Sequence, residues 1–106
     1  MSIASIEEIS QFKSSGKVVI VDVRSKAEQE SLGNAIEGNV NISYIDDEQF
    51  AALVVSENLL PEDKNTPIIC HWNKGGRAGK AAAILVGMGY TQVLNGENPG
   101  RIHSAN

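Results

Sequence analysis

Cys70 is the only cysteine of the 106-residue chain. It stands in the stretch IICHWNKGGRAGKAAAIL, Ile68 to Leu85, with the only tryptophan, Trp72. The run from Thr66 to Cys70 reads as a strand that ends on the thiol. Behind it come Lys74, Gly75, Gly76 and Arg77, and then an alanine-rich stretch with helical spacing. In open α/β sheets, ligands bind beyond the carboxyl ends of the strands. A helix start offers unpaired N–H donors and a partial positive charge. Gly75 and Gly76 let the backbone turn its amides inward as an anion nest, and Lys74 and Arg77 add full charge. Each feature favours thiolate over thiol, and such settings bring a cysteine from about 8.5 to roughly 3.5–7.5. The pattern predicts Cys70 as a nucleophile facing a cradle for the anion it attacks.

Other chemistry in the same stretch is less well served. A lone cysteine is otherwise a small buried hydrophobe, and only its place before a basic Gly-Gly loop sets Cys70 apart. Cys70 and His71, with only His103 besides, make a poor metal set. His71 is a possible activator of Cys70, but adjacent residues on an extended chain point to opposite sides. Trp72 reads equally as a rim aromatic touching substrate or as a lid over the core. Asp22 and Arg24 close another strand, and with Glu28 nearby they read as a structural ion-pair network. The GGRAG sequence lacks the Gly-Lys-Ser/Thr ending of a phosphate loop.

The elements that must position these residues follow from periodicity. Ser5 to Lys13 reads as a short amphipathic helix, with Ser5 and Glu8 as a capping box. Val18 to Val23 is apolar, β-branched and not alternating, as in a strand covered on both faces of a parallel sheet. A polar, glutamate-rich segment follows, then Asn39 to Ser43 as a short strand. Asp46 to Val55 reads as a helix that buries Phe50, Leu53 and Val54. Arg77 to Met88 is the clearest helix, with Ala78, Ala81, Ala82, Leu85 and Met88 on one face and Gly89 placed to stop it. Gln92 to Leu94 reads as a last strand, and Asn95 to Gly100 as loop. Short apolar strands alternating with helices predict an α/β fold with a mostly parallel sheet.

Composition sets the outer bounds. The length predicts one domain, residues 1–106, able to bury a core without disulfides or metal. Hydrophobic residues are 42% and charged residues 21%, ordinary for a globular protein. A formal charge of −4 disfavours nonspecific nucleic-acid binding. No apolar run approaches the roughly 20 residues of a membrane helix, so a membrane partner is not expected. The N-terminus does not read as a signal peptide and the single cysteine forms no internal disulfide, so the expected location is cytoplasmic.

Three segments resemble a rhodanese-like domain, closest to its small single-domain, phage-shock-type members. VVIVDVRSKAE, Val18 to Glu28, is similar to the family's strand followed by Asp-Val-Arg and a glutamate. GNAIEGNVNIS, Gly33 to Ser43, is similar to its Gly-His-Ile-Pro-Gly-Ala-Ile-Asn-Ile-Pro segment. PIICHWNKGGRAGKAAAILVGMGYTQVLNG, Pro67 to Gly96, resembles the active-site loop, helix and final strand. The likeness implies a three-layer sandwich in which a five-stranded, mostly parallel sheet is flanked by helices. It implies a sulfurtransferase in which Cys70 takes sulfane sulfur from a donor such as thiosulfate and passes it as a persulfide to a thiophilic acceptor. His71, Trp72, Asn73, Lys74, Gly75 and Gly76 match the family's substrate cradle, and Arg77 matches the arginine that closes it. Asp22, Arg24 and Glu28 match its structural support. A small-molecule or protein donor and acceptor are the implied partners, with no cofactor or metal.

The chain departs from that pattern in the length of its loop, among other places. The family usually places four residues between cysteine and arginine, and here six separate Cys70 from Arg77. Between fixed anchors the added length is expected to bulge at Trp72 and Asn73 and to widen the cradle. That spacing leaves a phosphatase or arsenate reductase as a rival enzyme on the same cysteine. A non-catalytic module that binds a partner is the other alternative.

Overall fold

The computed structural model describes residues 1–32, 36, 38–72 and 75–105. Among the described residues four strands form one sheet: β1 (Val19–Asp22), β2 (Val40–Asn41), β3 (Ile68–His71) and β4 (Val93–Glu97). Their order is β2-β1-β3-β4 and every pairing is parallel. Val21 pairs with both Val40 and Cys70, so the two central strands are apolar on both faces, as the unbroken run from Val18 requires. The resemblance implies five strands. Among the described residues the fifth place holds a single parallel bridge, Ile3 to Asn95, at the β4 edge. Ala4 N–H donates to the Asn95 carbonyl at 2.8 Å, and Ser5 then caps a helix, so the chain turns away before a strand develops.

Among the described residues five helices cover the two faces: α1 (Ile6–Ser14), α2 (Lys26–Leu32), α3 (Asp47–Glu57), α4 (Gly75–Gly87) and α5 (Pro99–Ser104). The Ser5–Glu8 capping box forms in both directions. Asp46 caps α3, which buries Phe50 and Val54, and Asn58 ends it in the left-handed region at φ 49°. The glutamate-rich segment after β1, to which the sequence pattern assigns no element, folds as α2, because Ser25 and Glu28 make a second reciprocal cap at 3.1 Å each way. One expectation needs correction. Residues Asn95 to Gly100 are not one loop: Asn95 to Glu97 extend β4, and Asn98 caps α5 with Pro99 in its first turn. A proline at that place needs no N–H partner.

The core has two parts, one on each face of the sheet. On one side Val21, Val23, Ile68, Cys70, Phe50 and Leu85 pack with Ala78, Ala81 and Ala82 of α4. On the other, Ile69 packs with Ile9 of α1, Ile102 of α5 and Ala105. Small residues let α4 lie close to its neighbours. A Cβ on Gly79 would come within 2.8 Å of the Met1 carbonyl oxygen and 3.0 Å of Asn95 Nδ2. That contact fixes how near α4 sits to β4 and the chain's start. No described helix is long and apolar enough to cross a membrane.

Candidate functional site

The strand carrying Cys70 does not stop there. β3 continues to His71, and the Trp72 N–H prolongs the ladder by donating to the Glu97 carbonyl at 3.0 Å. At the other anchor, α4 begins at Gly75 rather than at Arg77. Part of the added length between Cys70 and Arg77 is therefore taken up by β3 at one end and by α4 at the other. The bulge expected at Trp72 and Asn73 falls partly outside the described residues, while the Trp72 backbone follows the ladder. Backbone hydrogen bonds at both ends stabilise ordered structure where an open loop would leave the same groups to water. Asn73 and Lys74, assigned to the cradle by sequence, lie outside the described residues.

Cys70 lies inside the fold instead of at its mouth. Its side chain shares the face of Ile68, is fully buried, and packs within the α3–α4 half of the core. Burial pushes the thiol up to about 12. The expected thiolate is thus reversed in sign. The amides of the α4 N-terminus favour an anion only where one reaches them, and Cys70 is buried among apolar side chains instead.

His71 points to the opposite face, as alternation requires, and is fully buried. Its Nε2 lies 3.4 Å from Asn39 Nδ2, and its Nδ1 has no hydrogen-bond partner. Burial first, then the Arg24 and His103 charges, hold the imidazole down to about 4, with Asp22 opposing. His71 neither meets Cys70 nor reaches the mouth.

Asp22 and Arg24 form a buried pair. Arg24 Nε donates to both Asp22 carboxylate oxygens at 3.0 and 2.9 Å, and Nη2 donates to Oδ2 at 2.7 Å. Arg24 is 2% exposed and Asp22 0%, and the hydrogen bond to Asp22 is the main cause of a raised guanidinium pKa. Asn41 Nδ2 donates to the carbonyls of both residues, at 2.9 and 2.8 Å, and so ties β2 to the turn after β1. The geometry is that of a support, not of a group presented to substrate.

Glu28 belongs elsewhere. Sequence grouped it with Asp22 and Arg24, but its carboxylate sits at the mouth. Oε2 accepts the Trp72 indole N–H at 3.2 Å, and Oε1 lies 3.7 Å from Arg77 Nη1. The Arg77 guanidinium in turn stacks over the Trp72 ring at 4.2 Å. The Ser25 backbone N–H is the largest cause of a lowered Glu28 pKa, and Trp72 and Arg77 add to it. Tyr44 packs on the same half of the core and donates its hydroxyl to Asp47, which raises the phenol to about 12. Sequence reasoning missed Tyr44, Asn39 and Asn41, whose one signal was their place in or beside the short strand β2. Among the described residues, no group of three His, Cys, Asp or Glu side chains gathers to hold a metal.

The profile of the rhodanese-like domain matches residues 5–98. The chain belongs to the rhodanese-like domain family. Solved structures agree in fold. A rhodanese with anions from E. coli is 25% identical, with a TM-score of 0.59, and the match covers 79% of this chain and 89% of that one. An uncharacterized protein from Saccharomyces cerevisiae is 23% identical at TM-score 0.65, over 98% and 92% of the two chains. A human single-domain sulfurtransferase, TSTD1, is 20% identical at TM-score 0.63, over 100% and 99%. No curated protein gives a significant match. This rhodanese-like domain therefore keeps the parallel sheet and flanking helices of its family, with its single cysteine sealed in the core.

Proposed function

We propose that this chain is a partner-binding member of the rhodanese-like family and does not carry sulfur on Cys70. The observation behind this reading is the complete burial of Cys70 among apolar side chains, with its thiol pushed up to about 12. The thiolate is the nucleophile in sulfur transfer, and a thiol of that pKa is almost wholly protonated near neutral pH. A donor such as thiosulfate is also an anion, and its approach to Cys70 would strip it of water without any counter-charge. The phosphatase and arsenate reductase readings use the same cysteine and meet the same obstacle.

The surface that remains at the mouth is Trp72, Arg77 and Glu28, half-buried to exposed. Tryptophan and arginine are the side chains that most often carry binding energy between proteins. A net charge of −4 favours a protein partner over nucleic acid.

Family membership and the two solved relatives named as a rhodanese and a sulfurtransferase support the second reading, a sulfurtransferase with a Cys70 persulfide. It requires the C-terminal end of β3 to part from α4 during each cycle. Incubation of the native protein with thiosulfate, followed by intact mass, separates the two. An unchanged mass is expected. A gain of one sulfur atom that disappears in Cys70→Ala would establish the persulfide and end the binding-module reading.

A further inference from the structure

We propose that Trp72 is a plug, latched by Glu28 and Arg77, and that it stands at the position from which this fold would present a nucleophile to the α4 N-terminus. The inference rests on the reading that Cys70 does not carry sulfur, and goes beyond it by assigning the vacant position. Side chains alternate along a strand, so residue 72 continues the face of Ile68 and Cys70. Its N–H still follows the ladder, through Glu97. The Trp72 side chain packs against the same half of the core as Cys70. It is also the first residue on that face beyond the end of β3, and α4 opens three residues later at Gly75. A side chain there meets the helix start, where a buried strand residue does not.

The indole is held from two sides. Glu28 Oε2 takes its N–H at 3.2 Å, and the Arg77 guanidinium covers its ring at 4.2 Å. Glu28 also faces Arg77 across 3.7 Å, so carboxylate, indole and guanidinium each touch the other two. The carboxylate is fixed in its turn by the Ser25 N–H at the start of α2. A charged group with two partners and an aromatic ring with two partners close the mouth.

If residue 72 is the nucleophile position, a thiol placed there restores the chemistry that Cys70 cannot perform. In the full chain carrying Cys70→Ala and Trp72→Cys, the introduced thiolate attacks the outer sulfur of thiosulfate. A new S–S bond forms to the protein as the S–S bond of thiosulfate breaks, and sulfite leaves with the electron pair. Cyanide then takes the outer sulfur as thiocyanate, and the thiolate is restored.

The experiment has two arms. In the first, Cys70→Ala/Trp72→Cys is compared with Cys70→Ala/Trp72→Ser, both checked for a native far-UV spectrum and a cooperative melt. A mass gain of one sulfur atom and thiocyanate formation at least roughly a hundredfold above the serine variant are expected for a correctly placed nucleophile. A folded Trp72→Cys variant that stays unmodified overturns the assignment. The second arm keeps Trp72, the only tryptophan of the chain, and reads its fluorescence. Glu28→Gln should raise quenching of the native emission by acrylamide about twofold as the latch loses its charge. Unchanged quenching overturns the latch. Native protein that gains sulfur on Cys70 would sink the binding-module reading and the plug with it, whereas failure of either arm sinks the plug and leaves that reading standing.

Discussion

The indole N–H of Trp72 donates to Oε2 of Glu28 at 3.2 Å, joining positions 44 residues apart. One carboxylate thereby serves the start of α2 through Ser25 and the mouth of the site through Trp72 and Arg77.

Its two duties are separable by substitution. Glu28→Ala removes the capping partner of Ser25 along with the indole acceptor and should cost about 1–2 kcal/mol of stability. Glu28→Gln keeps an oxygen for the Ser25 N–H and should cost about 0.5–1 kcal/mol, since only charge is lost. Urea unfolding of the two variants beside the native protein measures both. Equal losses would show that the charge, and not the cap, is what α2 uses.

The Asp22–Arg24 pair makes a sharper demand. Both side chains are almost wholly out of water, so removing Arg24 leaves the Asp22 carboxylate buried without its guanidinium. Arg24→Ala is expected to destabilise by about 3–5 kcal/mol, the range for breaking a buried ion pair. The double variant Asp22→Ala/Arg24→Ala should cost less than the two single losses combined, because it leaves no orphan charge. Additive losses in a chemical-denaturation cycle would mean that the pair is not an energetic unit.

Much of this architecture is legible in the sequence, for physical reasons. Val18 to Val23 has no polar face, which only a strand covered on both sides tolerates, and Ser5 with Glu8 is a cap that local chemistry completes alone. The Ala78, Ala81, Ala82 and Leu85 stripe marks the helix face that meets the sheet. What failed was position along the strand. Whether β3 ends at Cys70 or His71 is decided by backbone pairing with β4, which slips by one residue between Cys70–Asn95 and His71–Glu97. Nothing in the stretch IICHW announces that slip. The thiol was read at a mouth that lies beyond His71, and Glu28 was read with its sequence neighbours when its partners sit on β3's exit and α4.

His71 predicts a pH dependence. Its imidazole is held down to about 4 in the fold, against an ordinary value of about 6.5. The folded state therefore keeps it neutral while the unfolded chain takes up a proton as pH falls below about 6.5. Stability is lost progressively between about pH 6.5 and 4, and the loss levels off once both states are protonated. The full effect is about 3 kcal/mol. Glu28 and Asp46, whose pKa values are lowered, add an acid loss of their own below the usual carboxylate range. His71→Gln removes only the imidazole share. Unfolding midpoints at pH 7 and pH 4.5 should therefore differ less in His71→Gln than in the native protein. The same difference in both proteins would mean that the ring is not held neutral by the fold.

Cys70 gives the most direct test of how the site is built. A thiol with no exposed surface and a pKa near 12 should react with a disulfide reagent only when the protein opens. Labelling at pH 8 is expected to follow the unfolding rate and to become fast in denaturant. Substitution should separate packing from polarity. Cys70→Ala leaves a small cavity beside Ala78 and Ala81 and should cost about 1–2 kcal/mol. Cys70→Ser fills nearly the same space but places a hydroxyl among apolar groups, and should cost about 1–3 kcal/mol, more than alanine at the same site. Sulfur is tolerated there because it behaves as a hydrophobe and needs no partner. Rapid labelling of the folded protein, together with a serine variant as stable as the native one, would show that Cys70 sees solvent, and the site would then have to be rebuilt around it.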